Sequence, residues 1–312
     1  MIEAGPFLRF CRHMSPFTRF LKVFVFVYFL CGVLSALAAD ELKVLTIGNS
    51  FADNATRYLV QAAQSAGKKV TLFRANLGGH SLEQHARYLA AHRANPEEGR
   101  KYRGPQGERI SLVEALRLQP WDVVTIQQVS TQSFRPETFE PYATELIAAV
   151  REFAPQAAIW VHETWEYHPD YLARRKQTDM YEKLHQAYLE LAQRHGLKII
   201  PVGTAFHAAL NEGGWKPIPD PDFDYQNPPP GVTPREKRGL HVGWQWRKNR
   251  ASGDPQFSFD FKHANDAGCY LGASVFLFTL FPDVKDFPFV PQTLSADEAA
   301  ELRAIARSVV NP

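Results

Sequence analysis

Five times along this chain a short β-rich apolar run is followed by a stretch with helical periodicity, and that alternation limits the folds open to it. Lys43 to Gly48 (KVLTIG) precedes a helical stretch from about Asn54 to Ala66, and Lys69 to Ala75 precedes Leu82 to Ala91. Asp122 to Gln127 precedes Phe139 to Phe153, Ala158 to Glu163 precedes Thr178 to His195, and Lys198 to Gly203 precedes Ala205 to Leu210. Runs such as VVTI show no alternation of apolar and polar residues. Strands of that kind belong to a parallel sheet covered on both faces.

The expected architecture is therefore a three-layer α/β/α sandwich with a doubly wound, flavodoxin-like parallel five-stranded sheet. Ligands of such sheets bind beyond the carboxyl ends of the strands, so functional residues are sought there. Two stretches break the rhythm. Residues 93–109 are polar and hold Gly99, Gly104, Pro105 and Gly107, which marks a surface excursion before a helix starting near Ser111. Residues 212–258 carry Pro228-Pro229-Pro230 together with Trp215, Phe223, Tyr225, Trp244 and Trp246. An insertion this long is functional or disordered, and its aromatic content favours function.

The first 38 residues read as a targeting segment. Arg9, Arg12, Arg19 and Lys22 make a basic region, Val23 to Ala38 an apolar one, and Ala36-Leu37-Ala38 a small-residue cleavage site. The apolar run is shorter than the roughly 20 residues of a spanning helix, so cleavage is expected over retention as an anchor, with the product secreted or periplasmic and no stable membrane insertion. Residues 39–312 then form one domain. The leader takes four of the 35 basic and one of the 33 acidic residues, leaving 31 against 32. Such a balance offers no general attraction for nucleic acid. Cys11 and Cys31 go with the leader, so Cys269 has no intrachain disulfide partner.

Four signals carry chemistry, each with a plainer structural explanation. Ser50, in Gly48-Asn49-Ser50-Phe51, follows the first strand and precedes a helix; it is placed for a nucleophile, though serine in such a turn is commonly a cap. Asp260 stands three residues before His263 on an expected loop, where its carboxylate can accept from Nδ1–H and leave Nε2 free as a base; capping by Asp260 is the plainer account. Asp266, equally spaced on the other side, fits the first turn of the next helix, near Gly268 to Phe281. Gly78 and Gly79 end the second strand and let backbone N–H groups approach an oxyanion, or merely form a turn. Gln127 and Gln128 end the third strand, where a side-chain amide can donate to the same oxyanion or to solvent.

Together these blocks resemble the SGNH/GDSL-like serine hydrolase superfamily, and more closely a bacterial branch whose first block reads GNSF instead of GDSL. The similarity runs from about Lys43 to Phe281. Block one maps onto Gly48 to Phe51, block two onto Gly79, and block five onto Asp260 to His263. The usual GxND of block three is replaced by IQQVSTQS. The resemblance implies a catalytic set of Ser50, Asp260 and His263, and an oxyanion hole of the Ser50 N–H, the Gly79 N–H and one glutamine amide. Strand alternation lets only one of Gln127 and Gln128 face the site; Gln127 is preferred, with Thr131 and Gln132 as further candidates.

The implied reaction is acyl transfer without a cofactor. No metal is expected, because His162, His168, His207 and His241 lack HxxxH or HxH spacing. The expected partner is an acylated small-molecule or glycan substrate, most readily a carbohydrate O-acetyl ester, with Trp165, Trp244 and Trp246 as stacking platforms, although Trp165, just beyond the fourth strand, fits a half-buried core position more commonly. The alternatives are a lipid esterase or thioesterase, and a glycan-binding protein that kept the fold without turnover.

Overall fold

The computed structural model describes residues 40–311. The expected leader, residues 1–38, lies outside the described residues. Five strands, β1 (Glu41–Gly48), β2 (Lys69–Asn76), β5 (Val123–Ile126), β6 (Ala158–His162) and β7 (Lys198–Ile200), form one sheet in the order β2-β1-β5-β6-β7. Every neighbouring pair is parallel, with Ile47 level with both Ala75 and Ile126. This is the flavodoxin-like order anticipated from the sequence. The order in which strands are added reverses between β1 and β5, and the loops after these two parallel strands open the crevice characteristic of such sheets.

Helices α1 (Ser50–Ala55), α2 (Leu59–Ser65), α8 (Val202–Asn211), α9 (Asp266–Leu280) and α10 (Ala296–Val310) pack together on one face. On the other, α3 (Leu82–Ala94), α4 (Leu112–Arg117) and α5 (Tyr142–Phe153) pack together, while α7 (Met180–His195) runs along β6 and β7 and α6 (Pro169–Arg175) precedes it. Ser81 and Gln84 close α3 with a reciprocal capping box, as Ser111 and Glu114 do for α4. Helix α9 buries 13 of its 15 residues, which is why it reads as apolar on all sides. Its Gly272 is required by close approach, since a Cβ there would lie 2.8 Å from Ala55 Cα.

The single helix expected over Asn54 to Ala66 is two. Thr56 turns its hydroxyl onto Ala52 O at 2.7 Å, and Arg74 on β2 donates to Thr56 O at 2.9 Å. That carbonyl is taken by a tertiary partner that local periodicity does not reveal. The surface excursion at 93–109 contains a small antiparallel pair, β3 (Tyr102–Arg103) and β4 (Arg109–Ile110).

The long insertion holds an antiparallel hairpin, β8 (His241–Lys248) with β9 (Pro255–Ala264). Asp260 and His263 therefore lie on a strand rather than on a free loop. His168 N donates to Phe261 O at 2.7 Å and Trp165 Nε1 to Lys262 O at 2.9 Å, which ties β9 to the segment leaving β6. Both bonds hold the end of the hairpin at the carboxyl edge of the sheet, beside Ser50.

Candidate active site

Ser50 is the first residue of α1, directly after β1. Asn49 caps the helix in an extended conformation and its Oδ1 accepts from Phe51 N at 3.1 Å. The turn leaves the Ser50 side chain free to face β9, where its Oγ lies 2.9 Å from His263 Nε2. On the other side of the ring, Nδ1 faces Asp260 Oδ2 at 2.8 Å. The structure thus brings together three side chains that the sequence holds up to 213 positions apart.

An uninterrupted strand would point residues 260 and 263 to opposite faces. The hairpin register resolves this: His241 pairs with Ala264 but Gly243 with Asp260, so two steps on β8 are matched by four on β9. The extra residues form a bulge, a device that re-aims side chains. Asp260 Oδ1 secures it by accepting from Lys262 N at 3.3 Å and His263 N at 3.1 Å. Burial acts to raise the Asp260 pKa, but the hydrogen bonds from the His263 ring and backbone outweigh it and hold the carboxyl down to about 2. The group facing Nδ1 is thus an anion, suited to orienting the imidazole with Nε2 towards serine. The rival carboxylate, Asp266, sits in the first turn of α9, bonded to Arg57 at 2.9 Å and Thr293 at 2.8 Å.

Gly79 is placed with φ +74°, a conformation that favours glycine, in an exposed turn after β2. Among the described residues neither its N–H nor that of Ser50 donates to another group, so both remain available to an incoming oxygen. Asn49 joins the two turns: its Nδ2 donates to His80 O at 3.0 Å. Sequence reasoning passed over this residue. The available signal was an asparagine at a helix cap whose second amide end still needed a partner.

The two glutamines do not play the expected part. Gln128 is fully buried; its Nε2 donates to Thr138 O at 3.0 Å and its Oε1 accepts from Leu82 N and Val129 N. Gln127 is also buried, and its Nε2 donates to Asn49 Oδ1 at 2.9 Å and more weakly to Gln128 O at 3.4 Å. With both amide hydrogens directed inward, Gln127 positions Asn49 instead of presenting a donor to the site.

The three tryptophans do not stand beside the reacting groups as expected either. Trp165 is fully buried, stacked between Phe51 at 4.2 Å and Phe206 at 4.6 Å, so it builds the floor beneath Ser50 and offers no face to a ligand. Paired residues of an antiparallel hairpin share a face. Trp244 pairs with Phe259 and Trp246 with Phe257, whereas Asp260, with Gly243 opposite it, occupies the other face and is reached by Gln245 Nε2 at 3.4 Å. On the aromatic face Trp244 stacks on Phe257 at 4.9 Å and, with Tyr225, Arg174 and Glu236, lines a separate cavity of about 440 Å³, while Trp246 Nε1 donates to Val232 O at 2.8 Å. The platforms therefore lie on the side of the hairpin away from the Asp260–His263 pair.

Beside that pair lies a cavity of about 650 Å³ whose walls include Asp260, Lys262, His263, Arg247 and Gln256. Among the described residues no cluster of three or more His, Cys, Asp or Glu side chains has a metal-binding arrangement. His207 pairs with Glu166 at 2.7 Å, His241 Nε2 faces Glu166 O at 3.0 Å, and buried His162 has neither ring nitrogen bonded among the described residues. Cys269 is buried too, which pushes its thiol pKa up to about 11 and leaves it a poor nucleophile.

The family profile described as "Domain of unknown function (DUF4886)" matches residues 43–212, a span that includes Ser50 and Gly79 and stops before the hairpin. A DUF4886 family protein from Bacteroides uniformis superposes with a TM-score of 0.61 at 23% identity, over 86% of this chain and 95% of that one. A candidate SGNH hydrolase from Slackia heliotrinireducens follows at TM-score 0.45 and 19% identity, over 76% of this chain and 97% of that one. A lipase/acylhydrolase from Enterococcus faecalis gives 0.43 and 14%, over 80% of this chain and 100% of that one. No curated protein sequence matches.

Proposed function

Since the chain belongs to the DUF4886 family, on an SGNH hydrolase-like fold, we propose from the geometry of its own site that it is a serine esterase, with Ser50 as nucleophile, His263 as general base and Asp260 as the orienting carboxylate. The observation that carries this reading is the continuous contact from Asp260 Oδ2 through His263 to Ser50 Oγ, at 2.8 and 2.9 Å. His263 Nε2 takes the hydroxyl proton as Oγ attacks the ester carbonyl carbon, and the carbonyl electron pair moves onto oxygen, where the Ser50 and Gly79 N–H groups receive it. The tetrahedral species collapses, the alcohol leaves with the proton held by His263, and an acyl-serine remains. Water, deprotonated by the same imidazole, then releases the acid and restores Ser50.

The substrate is a hydrophilic ester, most simply an O-acetylated carbohydrate. Charged and amide side chains form much of the cavity beside His263, and such a wall suits hydroxylated substrates better than an acyl chain, which needs an apolar groove. An exported enzyme is consistent with the basic and apolar leader ending near Ala38.

The test is hydrolysis of a short-chain aryl acetate and labelling by a fluorophosphonate. Both should be present in the wild type and lost in Ser50→Ala, with turnover falling by up to about six orders of magnitude. Unchanged turnover in a correctly folded Ser50→Ala protein would overturn the assignment.

A further inference from the structure

The cavity beside His263 is strongly basic. Arg247 and Lys248 come from β8, Arg250 from the turn that follows, and Lys262 from β9, next to His263 itself. Among the described residues none of the four forms an ion pair or donates a side-chain hydrogen bond, whereas Arg57, Arg74, Arg100 and Arg303 elsewhere in the chain all have carboxylate partners. Asp260, the acidic residue of the cavity wall, is committed to His263. Asp254, the other acidic residue of the hairpin, is not part of the wall.

Composition does not account for this. Residues 39–312 carry 31 basic and 32 acidic side chains, so four unpaired cations around one cavity are a local concentration of charge. Cations gathered in a cleft focus the field and raise the local concentration of anions. Two are arginines, whose planar guanidinium matches an oxyanion with two parallel donors, and Asn249 and Gln256 add amide groups for neighbouring hydroxyls.

We propose that this cavity binds the anionic group of an acidic glycan, a sugar carboxylate or sulfate next to the scissile ester, so that the substrate class is an O-acylated acidic polysaccharide. The proposal builds on the esterase reading, and the cavity's place against His263 is what couples binding to the reaction. Arg247, Lys248, Arg250 and Lys262 hold the anion, and the ester is presented across the imidazole to Ser50. Because Arg247, Lys248 and Arg250 are exposed, bulk salt competes with the glycan.

Two measurements on the full protein test this, one independent of catalysis. In the first, calorimetric binding of deacetylated oligogalacturonate and of a sulfated oligosaccharide is compared with binding of a neutral xylo-oligosaccharide, using Ser50→Ala. At least one acidic oligosaccharide should bind more tightly than the neutral one, the tighter of the two identifying the anion, and its affinity should fall roughly tenfold in Arg247→Gln/Arg250→Gln and fall again with added salt. In the second, the ratio of kcat/KM on acetylated acidic to acetylated neutral polysaccharide should drop roughly tenfold in the same double variant. Equal binding of acidic and neutral sugars, tighter binding of an oligonucleotide than of either acidic glycan, or an unchanged kcat/KM ratio would overturn the proposal. Charge-dependent glycan binding with no ester hydrolysis on any substrate would instead overturn the esterase reading and leave the anion site standing.

Discussion

Gln127 lies across the bare α-carbon of Gly48, so closely that a Cβ on residue 48 would come within 2.7 Å of Gln127 Cγ. Gly48 ends β1 and Gln127 directly follows the adjacent β5, and their contact directs the Gln127 amide to Asn49 Oδ1, the cap of the helix that begins with Ser50. Gly48→Ala should therefore displace Gln127 and loosen the serine turn, at a cost on the order of 1–3 kcal/mol in stability. In a Gln127→Ala background the same change should cost much less, because the obstructing side chain is gone. Chemical denaturation of the four proteins measures the coupling; strictly additive losses would show that the contact is not what requires glycine.

Asp260 and Asp266 are equally spaced around His263 in sequence but only Asp260 reaches its ring. Asp260→Asn should lower turnover by up to about 10⁴, with KM for a small ester little altered, since the loss lies in imidazole orientation and charge. Asp266→Asn should leave turnover near wild type and cost at most about 1 kcal/mol, its partner Arg57 being largely exposed. Steady-state kinetics with denaturation controls decide the matter, and a larger kinetic loss in Asp266→Asn would reverse the roles.

Burial lowers the pKa of His85 to about 4 and those of His162 and His241 to about 3. Their folded values lie below the unfolded value near 6.5, so between about pH 6.5 and 4 the unfolded chain binds more protons. Stability is then retained above pH 6.5 and lost as pH falls through that window, by up to about 1.4 kcal/mol per pH unit for each such histidine. Among the described residues His162 has no hydrogen-bond partner, and it packs against Phe276, so His162→Leu should be neutral or stabilising at pH 7.5 and should flatten the acid side of the Tm profile. Parallel acid limbs for wild type and variant would show that His162 does not contribute to the acid loss.

The five-stranded parallel sheet is legible in the chain alone, because apolar strands alternating with helical periodicity have few other ways to bury themselves. Ser50 and Gly79 are likewise expected in turns after strands, and Asp260 and His263 on a loop before the last apolar helix, all beyond one sheet edge. The direction in which each side chain faces is not legible in the same way. Two consecutive glutamines at a strand end do not disclose that both amides turn inward, to Asn49 and to Thr138, since those partners lie on other segments. The insertion's tryptophans suggest a binding surface at the site, but the hairpin register sets them beside Phe257 and Phe259 on the face away from Asp260. The same register, through its bulge, turns Asp260 towards His263 and leaves the neighbouring lysine and arginines around an open cavity. Periodicity along a chain reports which side chains alternate; which side meets solvent is set by the strand or loop packed against it, and that information is spread over the whole fold.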